Sequence, residues 1–393
     1  MGPHDLSANL DDLLLEKDTT MTEPTMQKDK EDERHDKGDE RSESTARRRL
    51  SRRSILRMSA LGVTAGVVGF GGGRLTAAGA ELPDWTAADI PPQNGRRVIV
   101  TGANGYPRDG RSGLGYHQAL ALAVAGADVT IASRNKERGD EAVRRIQAAA
   151  PGASVRFETL DLADLSSISA FATRMQAAGD RLDLLINSAG VMGRATREVS
   201  IDGFERVFAT NTLGPFVLSA RLRPLLQNGS SPRIVWMSSS RGHAGGINFD
   251  DLQKETGYDY ARAYDDSKLG DLLLAMECER RSKASGWRLT SIAAHPGVAR
   301  TSIVLDGPGL DSSEGFRWRY IPMLWQDPAQ GALPLLYAAT SPQATGGGYY
   351  GPKGLGTTRG LPGVAILPEN ARDPRLAATY WETLERLGDV SFR

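Results

Sequence analysis

From Arg97 onward, short runs of β-branched and aliphatic residues alternate with longer helical stretches, and no other feature constrains the fold as strongly. VIVT (98–101), VTIAS (129–133), VRFETL (155–160), LDLLIN (182–187), IVWMS (234–238) and LTSIAA (289–294) each adjoin segments of helical character. Strand and helix alternating in this way predict right-handed βαβ units around a parallel sheet. No internal repeat or linker divides the region, so residues 81–393 are read as a single α/β domain, a doubly wound parallel sheet. Ligands of such sheets bind at the carboxyl ends of the strands, so the chemistry is expected where these runs stop.

The residues before this region read differently. Residues 1–50 are dense in both charge signs and poor in aromatics, a composition that buries too little apolar surface to order itself. Within 51–80, Arg52 and Arg53 precede an uncharged run, Met58–Gly73, too short and too diluted with Gly and Ala for a membrane span. Arg74 and the small triplet Ala78-Gly79-Ala80 follow, an A-x-A-like cleavage site. Together these resemble a twin-arginine export signal, which implies an exported, periplasmic or extracytoplasmic protein and the twin-arginine machinery as a partner. An uncleaved leader tethering the protein to a membrane is the alternative.

Hydrophobic residues make up 40 % of the chain and charged residues 24 %, enough to bury a core. The formal net charge is zero, so no basic field points to nucleic acid. Cys278 is the single cysteine, which excludes an intramolecular disulfide, and no Cys/His cluster has metal-ligand spacing. No metal is expected.

The strand ends carry the unusual residues. Thr101-Gly102-Ala103-Asn104 closes the first strand, and Ser112-Gly113-Leu114-Gly115 opens the first helix. Glycines there let the backbone turn sharply and approach a pyrophosphate lying on the helix N-terminus. Residues 105–111, GYPRDGR, interrupt the pattern; without them it reads TGANSGLG. Gly105, Pro107 and Gly110 suit an outward bulge, and Arg108 and Arg111 are candidate extra phosphate grips, against a solvated bulge with no role.

The second strand ends in Arg134-Asn135, where an NAD-selective site usually carries an acidic residue. A guanidinium suits a 2′-phosphate, so NADP is the expected cofactor and NAD the less favoured one. Asp161-Leu162 ends the third strand, where a carboxylate can accept from an adenine amino group. Asn187-Ser188-Ala189-Gly190 ends the fourth, small enough for a cofactor to lie against the backbone. Tyr264 and Lys268, four apart, share one helix face. The ammonium favours the phenolate, making Tyr264 a candidate proton donor or acceptor for a substrate oxygen. Ser239, after the fifth run, is placed to hold that oxygen, with Ser238 or Ser240 as one-residue alternatives. Asn211 is a polar residue at an otherwise apolar position and needs partners if buried, which a water chain toward Lys268 would supply.

TGAN…SGLG, the Asp161-Leu162 pair, NSAG, Asn211, the serines at 238–240, YDDSK and HPGVART, in this order over about residues 95–390, resemble the short-chain dehydrogenase/reductase family. The stretch INFDDLQKETGYDYARAY and the C-terminal GGYYG resemble its retinol-dehydrogenase-like branch. The resemblance implies a Rossmann-type fold and hydride transfer between a nicotinamide cofactor and an alcohol or carbonyl carbon. It makes Asn211, Ser239, Tyr264 and Lys268 the catalytic set, with Lys268 also gripping the nicotinamide ribose. It sets Pro296, Gly297, Val298 and Thr301 beside the nicotinamide amide, and it allows a homo-oligomer. NSAG departs from the family's usual second Asn.

Substrate identity is expected in the loops at about 190–200, 241–262 and 302–326. The last holds Phe316, Trp318, Tyr320, Met323, Leu324 and Trp325, read either as a lid over an apolar alcohol or carbonyl, or as an anchoring or subunit-contact surface. His243 and His295 are read as structural. A non-catalytic NADP-binding sensor or cofactor store is the competing class; the proton-handling residues favour the enzyme.

Overall fold

Six strands fall on the six runs: β1 (Arg97–Thr101), β2 (Asp128–Ser133), β3 (Val155–Thr159), β4 (Leu184–Asn187), β5 (Arg233–Met237) and β6 (Thr290–Ala294). They are parallel and stand in the order β3-β2-β1-β4-β5-β6. Helices cover both faces, so the central strands read as unbroken apolar runs rather than alternating ones. The computed structural model describes residues 82–392; the charged run and the export signal expected before them lie outside the described residues.

The longer helices among the described residues are α1 (Leu114–Val124), α2 (Lys136–Ala149), α3 (Leu165–Ala178), α4 (Gly214–Gln227), α5 (Tyr260–Ser285), α6 (Ser313–Tyr320), α7 (Pro328–Thr340) and α8 (Pro374–Leu387). One core joins the sheet to α1 and α7 through Val98, Val100, Leu122 and Leu336; the other joins it to α3, α4, α5 and α8 through Ile99, Phe216, Leu272 and Trp381. Asp or Asn side chains cap the N-termini of α2, α3, α5, α7 and α8. The N-cap of α1 is Gly113, which makes no side-chain cap bond, so the first-turn N–H groups of that helix remain without one.

Two further strands extend the sheet. β7 (Tyr349–Gly354) runs parallel to β6, and β8 (Arg359–Val364) returns antiparallel at the edge. Sequence periodicity gives no sign of them. Pro352 faces Pro362 across an irregular ladder rich in glycine, a composition that an edge strand tolerates and that conceals a strand. The strand order reverses direction on the two sides of β1, which opens a crevice at the carboxyl ends of β1 and β4.

Candidate active site

At that crevice the chain packs backbone on backbone. Gly102 has φ +71°, and a Cβ there would sit 2.8 Å from Ala189 Cα. A Cβ on Gly115 would meet Gly102 O at 2.9 Å, so the helix approaches the strand only because no side chain intervenes. Thr101 Oγ1 accepts from the N–H groups of Ser188 and Ala189, both at 3.0 Å, and ties β1 to the end of β4.

The resulting cleft holds about 830 Å³. Gly102, Asn104, Gly113, Leu114 and Gly115 line it on the side of the uncapped α1 N-terminus. Ala189, Gly190 and Thr301 line it further along, and Asp161 and Leu162 border the end nearest Arg134 and Asn135. An uncapped N-terminus concentrates partial positive charge and free N–H donors where an anion would lie. Arg138, on the first turn of α2, lines the cleft as well and was not singled out in the sequence. Its spacing of four from Arg134 is the signal that would have found it. Among the described residues neither arginine is in an ion pair, so both are available to a phosphate.

Five residues expected at the cofactor are turned elsewhere. Ser112 Oγ hydrogen-bonds His117 Nε2 at 2.8 Å, so its hydroxyl points into α1. Asn187 is buried, and its amide donates to Ser219 Oγ at 3.1 Å. Pro296, Gly297 and Val298 are tied to the β7–β8 hairpin and to the segment before α7. Val298 N–H donates to Thr358 O and its carbonyl accepts from Gln326 N–H, each at 2.8 Å. A Cβ on Gly297 would strike Thr358 O.

His117 was passed over in the sequence. Burial pushes its imidazole from 6.5 down to about 4, so it is neutral in the folded protein at ordinary pH. The unfolded imidazole takes up a proton below about 6.5 while the folded one resists until about 4, so stability is full above 6.5 and is lost as pH falls between those values. On this account the drop from pH 7 to pH 4.5 should be about 2.5 kcal/mol smaller in His117→Gln than in the wild type. Urea unfolding at the two pH values checks it, and equal drops would refute it. His295 behaves alike: burial, then the charge of His243, takes it to about 4, and its ring packs on Tyr349.

The candidate proton-handling residues gather where β5 meets α5. Tyr264 is 8 % exposed and packs with Val191, Met192, Val207 and Ile303, most of which line the cleft. Lys268 Nζ lies 5.8 Å from the centroid of the Tyr264 ring and donates to Met237 O at 2.8 Å. Ser239 Oγ accepts from Arg241 N–H at 3.2 Å, which leaves its own O–H free to donate. Ser238, the neighbouring candidate, donates to Lys268 O at 2.7 Å and is spent on the helix. That separates Ser239 from Ser238: the Ser239 hydroxyl remains free to donate.

Asn211 sits in a π-helical turn, Ala209–Leu213, ahead of α4, rather than in a regular helix. Its Oδ1 accepts from Val191 N–H at 2.8 Å, and its amide donates to Val191 O at 2.9 Å and to Ser267 Oγ at 3.0 Å. Both amide hydrogens are therefore used by protein groups, which supply the partners that its burial needs. Asn211 instead pins the loop after β4 over the cleft floor.

The loop at 190–200 lines the cleft through Val191, Met192, Arg194 and Glu198, among others. Tyr258 alone does so from 241–262, and 302–326 contributes only Ser302, Ile303, Leu305, Asp306 and Gly307. The expected aromatic lid is not over the cleft. Phe316 and Tyr320 of α6, and Met323 and Leu324 in the turn after it, are exposed, while Trp318 and Trp325 are half-buried.

Residues 105–111 form a small hairpin. Asp109 and Gly110 both have positive φ, as an Asp-Gly turn requires, and Arg108 and Arg111 pair across it. Gly113 N–H donates to Gly105 O at 2.6 Å and closes its base, so the glycine loop continues undisturbed. Arg108 and Arg111 flank Asp109 and do not line the cleft. The hairpin leans on α2, with the Arg145 guanidinium 4.5 Å from the centroid of the Tyr106 ring.

A family profile for short chain dehydrogenases matches residues 96–251. Human retinol dehydrogenase 13 is 36 % identical over 345 residues, 85 % of this chain and 95 % of the relative. Mouse polyprenol dehydrogenase is 36 % identical over 274 residues, 68 % of this chain and 78 % of the relative. Among solved structures, an uncharacterised protein from Mycobacterium paratuberculosis is 33 % identical with a TM-score of 0.64, covering 79 % of this chain and 100 % of that one. A short chain dehydrogenase from Shigella flexneri, solved with NADP, shares the fold at 22 % identity and a TM-score of 0.52, covering 66 % of this chain and 98 % of that one.

Proposed function

The chain belongs to the short chain dehydrogenase family, and on that premise we propose that it is an NADP(H)-dependent oxidoreductase interconverting an alcohol and a carbonyl on an apolar small molecule. The observation that carries the reading is the Tyr264–Lys268 pair on α5, with the tyrosine packed on Val191, Met192 and Ile303 of a cleft that begins at an uncapped helix N-terminus. The glycine cradle, whose space a Cβ would fill, and the unpaired Arg134 and Arg138 fit a dinucleotide bearing a 2′-phosphate.

When bound, the cofactor supplies or accepts hydride. In the reducing direction the Tyr264 hydroxyl gives its proton to the carbonyl oxygen, and in the oxidising direction the phenolate takes it back. The Lys268 ammonium, 5.8 Å from the ring centre, stabilises the negative charge that develops on the tyrosine oxygen. Ser239 donates to the substrate oxygen and orients it. Asn211 holds the Val191 backbone that borders the cleft.

Val191, Met192, Val207, Ile303 and Leu305 make the wall near Tyr264 apolar, which favours a substrate with a hydrocarbon body. Relatives named for retinol and polyprenol support the same class, a long apolar alcohol or its aldehyde. The test is NADPH consumption at 340 nm with a panel of apolar aldehydes and ketones. Turnover with these and little with short polar carbonyls is expected; turnover confined to polar carbonyls would refute the substrate class. We also propose that residues 51–80 direct export, so Arg52→Lys with Arg53→Lys should abolish translocation of a fused reporter; continued export would refute this.

A further inference from the structure

Asp271 was not singled out in the sequence, and it lies directly behind the proposed chemistry. It follows Lys268 by three residues on α5, and its Oδ2 accepts from Lys268 Nζ at 2.8 Å. The two side chains are 4 % and 2 % exposed, so this ion pair is wholly internal. Lys268 has three N–H donors; Met237 O and Asp271 Oδ2 take two of them. The third remains for the cleft, where a Cβ added to Gly190 would sit 3.6 Å from Nζ.

Other titratable groups packed around the pair are few. Tyr264 precedes it on α5, with Tyr349 of β7 bearing on that tyrosine, and Tyr380 of α8 faces Asp271. Burial and then the Asp271 charge hold the Tyr380 hydroxyl well above the usual tyrosine range, so it stays neutral. Burial works against the Lys268 ammonium, but the Asp271 carboxylate together with Tyr264 offsets it and leaves the lysine above its ordinary value. Burial pushes Asp271 up to about 6 against the pull of Lys268, still ionised at neutral pH. Asp271 is the only anion bonded to the ammonium among the described residues.

Resting on the reading of Tyr264 as the acid/base, we propose that Asp271 is a positioning residue that fixes the Lys268 ammonium and offsets its charge, so that the tyrosine works against an ion pair rather than a bare cation. Two fixed acceptors leave the ammonium one orientation, and the carboxylate behind it weakens the field that reaches the phenolic oxygen. The setting belongs to the Tyr264–Lys268–Asp271 cluster as a whole, and a pH–rate profile reads the cluster.

The test is the pH dependence of kcat/KM for NADP⁺-dependent alcohol oxidation by the full chain, in wild type, Asp271→Asn, Asp271→Glu and Tyr264→Phe. Asn keeps the shape and an acceptor oxygen but removes the charge. The profile of Asp271→Asn should have its midpoint about one unit lower than wild type, since loss of a nearby anion favours the phenolate. Asp271→Glu, which restores the charge, should return the midpoint to within about 0.3 units of wild type while raising KM for the cofactor. An unmoved midpoint in folded Asp271→Asn overturns the proposal. If Asp271→Asn does not fold, as circular dichroism would show, Asp271→Ser takes its place: a midpoint about one unit to the acid side supports the charge role, and an unmoved one overturns it. Tyr264→Phe separates the two levels. An inactive Phe variant that still binds NADPH upholds the acid/base reading whatever the Asp271 variants do, and an active one removes it.

Discussion

Tyr264→Phe should lower kcat by about 10²–10⁴-fold while leaving the dissociation constant for NADPH nearly unchanged. The ring occupies an apolar niche formed by Val191, Met192, Val207, Ala263 and Ile303, so phenylalanine fills the same volume and the helix has no reason to shift. Only the hydroxyl is lost, and with it the group that exchanges a proton with the substrate oxygen. Single-turnover rates with saturating NADPH check the first part, and fluorescence titration checks the second. A variant that turns over at more than about a tenth of the wild-type rate would mean that another group supplies the proton.

The second large effect concerns the cofactor. Arg134 and Arg138 line the same end of the cleft, are exposed, and have no anionic partner of their own among the described residues. Hydrogen bonds to a charged group are worth about 1.5–3 kcal/mol each. Replacing both arginines by Ala should therefore cut the preference for NADPH over NADH by about 100-fold, at 1.4 kcal/mol per factor of ten, with most of the loss in NADPH affinity. Because both side chains face solvent, the effect should shrink as salt is raised. Parallel titrations with NADPH and NADH measure it. An unchanged ratio would mean that the 2′-phosphate is held elsewhere or not at all.

Much of this was legible from the sequence. The six parallel strands announce themselves because a strand buried on both faces needs a continuous apolar run, and the glycines at 102 and 115 because a side chain there would block the close backbone packing. What escaped notice has specific causes. β7 and β8 are built from glycine and proline at an edge, where ladder geometry rather than side-chain pattern makes the strand. Ser112 was misjudged because its partner, His117, is revealed only once α1 is folded.

The polar run of α5 hid the most. Asp265, Asp266, Lys268 and Asp271 are all buried, which their polar composition gives no sign of. Arg241 pairs with Asp265, Lys254 and Arg262 pair with Asp266, and Lys268 pairs with Asp271. Arg262–Asp266 and Lys268–Asp271 both lie within α5, and spacing alone does not tell a surface pair from an internal one. The aromatic cluster at 316–325 has the composition of a pocket wall, yet Phe316, Tyr320, Met323 and Leu324 face solvent.

The central claim is that this chain moves hydride between NADP(H) and an apolar carbonyl with Tyr264 handling the proton. It is tested most directly by incubating the full-length protein with NADPH deuterated at both C4 positions of the nicotinamide and a panel of long-chain apolar aldehydes. Mass spectrometry should find one deuterium on the carbinol carbon of the alcohol formed by the wild type, and almost none with Tyr264→Phe. Tight NADPH binding with no deuterium in any product would contradict the account and point to a protein that holds the cofactor without using it.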